Sequence, residues 1–350
     1  MRIAFFAEHC IPIHARSLDE RPLGGTETAL IRLAELLDRR GHDVTVFTAM
    51  AAPPPSKPKY LPSSQVLNSG RFEVFVLVQD WTPAFLGAPG ERIFYWTGDG
   101  WDQYANFGIG DKRVPSRIEY LLAVSEWHAN TLSARSGFPL DQVRIIGNGA
   151  HLPFFEGAEE RRRKRLIYTA APYRGLRLVP ELYEALRRKH PELELHVFSG
   201  MNIYDREKPF EGPYVSESRK LHAVLEQLPG VTLHGNVTQR QLARELMKSS
   251  VFIYPNVIFE TCCITAIEAQ AAGCPVVASA ISALPETVGD AGVVIQGEPG
   301  SPEYMRAFVA AVDGLLSDTV LWERYSHRAL IAAEQKYSWE RVADRFEALL

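Results

Sequence analysis

Phe259-Glu260-Thr261-Cys262-Cys263-Ile264-Thr265-Ala266-Ile267-Glu268-Ala269-Gln270-Ala271-Ala272-Gly273-Cys274-Pro275-Val276-Val277 lies between two apolar runs, Val251–Tyr254 and Val276–Ser279. Each run is short enough for a buried strand. The span from about Cys262 to Ala272 predicts a helix, which Gly273 ends by adopting a left-handed backbone. Strand, helix and strand in this order form the repeating piece of a parallel sheet. Glu260 precedes the helix and Glu268 lies within it, with seven residues between them. The unpaired backbone N–H groups of the first helical turn attract an anion such as a diphosphate. Carboxylates on both sides would repel that anion unless they accept hydrogen bonds from hydroxyls, which a sugar or ribose supplies. The plainer alternative makes Glu260 a first-turn acid complementing the helix dipole and Glu268 an ordinary surface residue.

The same alternation extends in both directions. Residues 2–7 read as a buried strand, and Gly24-Gly25-Thr26-Glu27 opens a helix with Leu30, Leu33, Ala34 and Leu37 on one face. Gly41 stops that helix, and Asp43–Thr48 is the next strand. Residues 51–65 carry Pro53, Pro54, Pro55, Pro58 and Pro62, which excludes helix and central strand and predicts a loop. Strands follow near Val74–Val78, Ile93–Thr97, Leu121–Ser125 and Val143–Ile146, the last running into Gly147-Asn148-Gly149. Beyond a linker near residues 153–165, Leu166–Ala170 is a strand and Leu178–Lys189 a helix. Leu193–Ser199 is a strand ending at Gly200, residues 201–216 a polar and aromatic loop, and Ser218–Leu228 a helix. Thr238 and Gln241 have the spacing of a capping box, and helical patterns fill 301–317, 319–336 and 339–350. The pattern predicts two doubly wound parallel-sheet domains, with ligands at the carboxyl ends of the strands and a cleft between the sheets.

The 350 residues exceed one ordinary core. A formal net charge of -4 and an isoelectric point near 6.2 give no basic excess, so nucleic acid is not an expected partner. The run Arg161-Arg162-Arg163-Lys164-Arg165 reads as a solvated linker, with a polyanion or membrane-surface patch as the alternative. No stretch has the ~20 apolar residues of a spanning helix, and the N-terminal apolar run is too short for a secretory signal. Cys10, Cys262, Cys263 and Cys274 lack metal-ligand spacing and are expected as buried, reduced thiols in the cytoplasm.

The Glu260–Glu268 pair, the Gly273-Cys274-Pro275-Val276-Val277 turn and Pro285-Glu286 resemble the donor-site signature of retaining GT-B glycosyltransferases in family 4. Gly24-Gly25-Thr26-Glu27, Val124-Ser125-Glu126, Asn148-Gly149 and Ser338-Trp339-Glu340 are similar to further segments of that family. The resemblance covers nearly the whole chain and is dense from about residue 166. It implies a GT-B fold: an acceptor-side Rossmann-like domain over 1–153, a nucleotide-sugar domain over 154–337, and a last helix over 338–350 that crosses back to the first. Domain closure with hinges near 153–165 and before that helix goes with this architecture.

The resemblance also implies roles. Glu268 would bind the ribose, and Glu260 the donor sugar's hydroxyls. Backbone N–H groups at Cys263, Ile264 and Thr265 would hold the phosphates. Gly24 and Gly25 would let backbone approach the diphosphate, Asn148 and Gly200 would line the donor, and the loop at Asn236 and Val237 would contact the base. Arg174-Gly175 matches the family's Lys-Gly, while Thr169 stands where relatives carry an arginine. Arg174 is the candidate to neutralise charge on the leaving diphosphate. Gly98 stands where many relatives place a histidine, and Asp99 retains the following acid, either to orient the acceptor or to cap the next segment. His128 reads as packing on its helix rather than acting as a base.

The expected reaction moves a sugar from a nucleoside-diphosphate sugar, UDP favoured, to a glycan, glycoside or lipid-linked acceptor, without a cofactor or metal. No Asp-x-Asp carboxylate pair is present. A lipid-linked acceptor would go with peripheral membrane attachment. Trp81, Trp96, Trp101, Tyr104 and Phe107 suit either stacking on a sugar or anchoring loops. Two rivals share the fold: a non-catalytic nucleotide-sugar or glycan-binding protein, and a sugar-nucleotide epimerase or phosphorylase. A dinucleotide oxidoreductase is disfavoured, because the glycine loop is not Gly-x-Gly-x-x-Gly.

Overall fold

The computed structural model describes residues 1–200 and 213–350, apart from the side chains of 213 and 214. The chain divides into two compact units. Unit 1 comprises Met1–Gly149 with Ser338–Leu350, and unit 2 comprises Ala150–Tyr337. Each unit is α/β, a parallel sheet packed with helices. Among the described residues no helix is long and apolar enough to cross a membrane.

In unit 1 the strands are β1 (Arg2–Ala7), β2 (Asp43–Thr48), β3 (Lys59–Pro62), β4 (Phe72–Val78), β5 (Gly90–Trp96), β6 (Tyr120–Ala123) and β7 (Val143–Ile145). The helices are α1 (Ser17–Glu20), α2 (Gly25–Arg39) and α3 (Glu126–Ser136). The sheet is parallel throughout, in the order β3-β2-β1-β4-β5-β6-β7. Alternate residues of β1 feed opposite cores. Ile3 and Phe5 pack with Leu30, Leu33 and Leu37 of α2, whereas Ala4 and Phe6 pack with Phe75 and with Leu132 of α3. Both faces are covered, so the strands read as continuous apolar runs.

Unit 2 contains β8 (Arg162–Thr169), β9 (Glu194–Phe198), β10 (Val231–Leu233), β11 (Ser249–Tyr254), β12 (Val276–Ser279) and β13 (Gly292–Ile295). Its helices are α4 (Val179–Lys189), α5 (Pro213–Glu226), α6 (Gln239–Lys248), α7 (Ile264–Ala271), α8 (Leu284–Val288), α9 (Pro302–Ser317) and α10 (Thr319–Gln335). The sheet order is β10-β9-β8-β11-β12-β13, again parallel. The capping box at Thr238 and Gln241 is present in both directions. The final helix, α11 (Trp339–Glu347), belongs to unit 1, where Trp339, Val342 and Phe346 are buried against Phe5 and Phe94.

Three local expectations need correction. The proline-rich stretch is not all loop: Lys59–Pro62 forms β3, paired on one side only with β2. An edge strand tolerates proline because one row of its backbone groups needs no partner strand. The basic run is not a solvated linker, since strand β8 begins at Arg162. Arg161 donates to the carbonyls of Ser249 at 2.5 Å and Ala272 at 2.6 Å. Arg161 and Arg163 lie over the Trp322 ring, and the buried Arg165 pairs with Glu245. Finally, the loop expected over 201–216 lies outside the described residues up to 212, and the chain is helical from Pro213.

Candidate active site

In unit 2 the strand order reverses between β8 and β11, where an open α/β sheet offers its ligand crevice. The segments after these two strands bring Arg174 and Glu260 together. Arg174 ends a short 3-10 turn and is followed by Gly175 at φ 111°. A Cβ at Gly175 would lie 2.0 Å from the carbonyl oxygen of Pro255, so the close approach of the two segments requires glycine. Arg174 Nη1 donates to Glu260 Oε2, and Tyr254, the last residue of β11, donates its hydroxyl to the same oxygen at 2.8 Å. Among the described residues both side-chain bonds of Glu260 fall on Oε2, which leaves Oε1 to accept from a ligand. Burial works against the Arg174 charge, but Glu260 and Tyr254 outweigh it and hold the guanidinium protonated. Burial raises the Tyr254 hydroxyl well above its ordinary value, so it is a neutral donor.

Helix α7 begins beside this cluster. Its N-cap, Cys263, makes no side-chain capping bond, and the first N–H groups bonded back to the Cys263 carbonyl belong to Ala266 and Ile267. Among the described residues those of Ile264 and Thr265 are the open donors of the first turn. Burial pushes the Cys263 thiol up to about 12, so no thiolate opposes an anion there. Glu260 is only 8% exposed and Glu268 7%, which removes the surface-residue reading of Glu268. Gln239 donates to Glu268 Oε1 at 3.1 Å and fixes its carboxylate.

Several buried polar atoms at these strand ends lack a hydrogen-bond partner among the described residues. They are Thr169 Oγ1 at the end of β8, Ser199 Oγ after β9, Asn236 Nδ2 after β10 and Ser282 Oγ after β12. Buried polar groups are normally paired, so a row of orphans along one sheet edge marks groups that a polar ligand would satisfy. Gly200 sits in this row, and a Cβ there would meet the Asn236 side chain at 2.9 Å. Val237 packs partly against the unit 2 core. Ser282 also has a left-handed backbone, with φ 55°.

In unit 1 the order reverses between β1 and β4. Gly24 is the N-cap of α2 and Gly25 its first residue. Asn148 is buried just after β7, and Asp99 follows β5. Asp99 Oδ2 accepts from Gln79 Nε2 at 2.8 Å. Burial raises the Asp99 pKa, with the Gln79 bond acting in the opposite direction. His128 is buried, accepts from the Val124 backbone at Nδ1, and donates from Nε2 to the Asp99 carbonyl at 2.8 Å. Burial pushes its pKa down to about 4, so it is a neutral clamp on the Asp99 loop. A Cβ at Gly98 would meet nothing within 4 Å, so a side chain there would enter open space. The exposed His9 pairs with Asp80 at 3.1 Å at the neighbouring strand ends. Thus Arg174, Glu260, Cys263, Ile264, Thr265, Glu268, Gly200 and Val237 lie in unit 2, while Gly24, Gly25, Asp99 and Asn148 lie in unit 1.

The sequence reading missed Tyr254, Gln239 and Gln79. Tyr254 alone carried a signal, because a tyrosine ending a wholly buried strand needs a partner for its hydroxyl.

Residues 164–318 match the family model for glycosyl transferases group 1. Solved structures superpose over the whole chain. Sucrose-phosphate synthase from Thermosynechococcus elongatus has a TM-score of 0.73 and 16% identity, covering 100% of this chain and 98% of that one. Anabaena HepE in complex with UDP and glucose has a TM-score of 0.73 and 15% identity, covering 100% and 99%. The chain has the GT-B fold. Its relatives include the MMP alpha-(1->4)-mannosyltransferase of Mycolicibacterium hassiacum, 28% identical over 66% of this chain and 54% of the relative. The D-inositol 3-phosphate glycosyltransferase of Streptomyces bingchenggensis is 26% identical over 67% and 53%. The chain spans about half the length of these curated relatives. The match to group 1 transferases lies wholly within unit 2, the unit that carries the Arg174–Glu260 cluster.

Proposed function

We propose that this GT-B protein is a retaining transferase of family 4 that moves a sugar from a nucleoside-diphosphate sugar to a hydroxylated acceptor without a metal ion. The supporting observation is the convergence of Arg174, Glu260 and Tyr254 beside the open first turn of α7, at the switch point of unit 2. A cation and backbone N–H groups suit the diphosphate. Glu260 Oε1 suits a sugar hydroxyl, and Glu268 the ribose. Thr169, Ser199, Asn236 and Ser282 are polar groups still to be paired. UDP is the favoured nucleotide, since HepE is described with UDP and with UDP-glucose.

In the transfer, the bond between the sugar's anomeric carbon and the diphosphate breaks as the acceptor oxygen forms its bond on the same face. The leaving phosphate oxygen takes the acceptor's proton. The protein's part is to orient the reactants and to stabilise charge on the departing diphosphate. Arg174 and the α7 N–H groups supply that stabilisation in place of a divalent cation. Among the described residues no three His, Cys, Asp or Glu side chains gather as metal ligands do. Asp99 faces the acceptor, a glycan, glycoside or lipid-linked sugar, the last bringing the protein to a membrane surface. Four buried cysteines, none of them in a disulfide among the described residues, suit a reducing compartment such as the cytoplasm.

The test is thermal stabilisation by UDP, GDP, ADP and NAD, each with magnesium and with EDTA. A ligand at 100 times its Kd adds about 2.7 kcal/mol to stability. Selective stabilisation by one nucleoside diphosphate that survives EDTA is expected. No shift with any diphosphate would sink the donor-site reading, and binding without sugar transfer would favour a non-catalytic nucleotide-sugar-binding protein.

A further inference from the structure

Gln79 immediately follows β4, on one side of the unit 1 switch point, and has a left-handed backbone with φ 58°. Only Gln79 and Ser282 do so among the described non-glycine residues. Such a conformation costs on the order of 1 kcal/mol or more and persists where surrounding contacts impose it. The contacts at Gln79 come from three segments. Its backbone N–H donates to the Trp96 carbonyl at the end of β5, at 3.1 Å. Its side-chain Nε2 donates to Asp99 Oδ2 at 2.8 Å and to Thr26 Oγ1, in the first turn of α2, at 3.4 Å. Its Oε1 accepts from the Cys10 thiol, after β1, at 3.4 Å. These partners fix which way the amide points, since only the NH2 end can serve the carboxylate.

We propose that Gln79 is a positioning residue for the transfer, tying the Asp99 carboxylate to the glycine-opened start of α2 and holding Asp99 ionised with Oδ1 turned to an acceptor hydroxyl. This rests on the transferase reading above, in which Asp99 serves the acceptor. A neutral amide suits the task. It donates to the ionised carboxylate without the full ion pair that a lysine or arginine would form, so Oδ1 remains a good acceptor. The other groups around Asp99 do not replace it. Tyr95 of β5 gives its hydroxyl to the Ala105 carbonyl and Asn106. Asp80 after β4 pairs with His9. Cys10 contacts Gln79 itself, and His128 of α3 and Asn106 hold the Asp99 backbone carbonyl.

The experiment uses Gln79→Gly, which removes the amide while relieving the left-handed backbone, and Gln79→Glu, which keeps the length but sets a second carboxylate beside Asp99. Two readouts are taken: the Asp99 carboxyl titration by carbon-13 NMR, and the pH profile of transfer from a UDP-sugar. A hydrogen bond to the charged form lowers a carboxyl pKa, so its loss moves Asp99 upward, and a neighbouring carboxylate moves it further. The acid limb of turnover is expected to shift to higher pH by roughly half a unit to one unit in Gln79→Gly, and by more in Gln79→Glu. The KM for the UDP-sugar stays unchanged in both. An Asp99 titration identical to the unsubstituted protein's in both variants would overturn the proposal, and so would a shifted titration with an unshifted transfer profile. Absence of transfer in the unsubstituted protein would instead sink the transferase reading, and with it the positioning role. The NMR titration would still show whether Gln79 governs Asp99.

Discussion

At the β8–β11 switch point three side chains converge on charge: a guanidinium, a carboxylate and a buried phenol that meet on one oxygen of Glu260. At the β1–β4 switch point an uncharged amide links a carboxylate, a hydroxyl and a thiol. The sheets are built alike, parallel and with one reversal of strand order. What differs is the electrostatic load each crevice carries. A diphosphate needs a cation and N–H donors, whereas an acceptor hydroxyl needs a hydrogen-bond acceptor that is not itself neutralised. On the reading proposed above, the difference teaches that the fold sets where a ligand would go, and that the few residues after the strands set its chemistry.

The widest separation between the two crevices is expected from Arg174→Ala. Loss of one preorganised charge contact costs about 10²–10³ in turnover. A steady-state transfer assay on the variant should show that drop, with Arg174→Lys recovering part of it because charge returns without the planar fork. Turnover near that of the unsubstituted protein would erase the contrast, since Arg174 would then be only Glu260's structural partner. Tyr254→Phe asks a finer question within the same crevice. Removing one hydrogen bond to Glu260, with Arg174 still in place, should lower stability by about 1–2 kcal/mol in denaturant unfolding. A loss several times larger would mean that Tyr254, not Arg174, holds the carboxylate. Gly98→His should have the smallest effect, within about 0.5 kcal/mol in the same unfolding experiment, because its Cβ points into open space. A substantial loss would show that the space beside Gly98 is needed by its surroundings, so that this crevice is as tightly determined as the one around Arg174.

The parts of this arrangement legible in the sequence were those whose cause is local. Apolar runs, the Gly273 stop and the Thr238–Gln241 box report on neighbours a few residues away, and the two sheets follow from them. The Glu260–Glu268 spacing was legible for the same reason, with one helix turn of open N–H groups between the acids. What escaped depends on partners far along the chain. Arg161 and Arg163 read as solvated because Trp322, Ser249 and Ala272 are distant in sequence. β3 escaped because proline's cost depends on whether a strand lies at an edge, which only the sheet order reveals. Gln79 gave no signal, since its left-handed backbone and its three side-chain partners are products of tertiary structure.

Unit 1 is completed by α11, although the whole of unit 2 is encoded in between. On a ribosome moving at roughly 5–20 residues per second, the nascent chain carries β1 to β7 for on the order of ten seconds or more before Trp339 and Phe346 emerge. During that interval Phe5 and Phe94 lack the aromatic lid they have in the finished protein. Unit 2 is contiguous and can close its own core first, so the amino-terminal unit is the last to be completed.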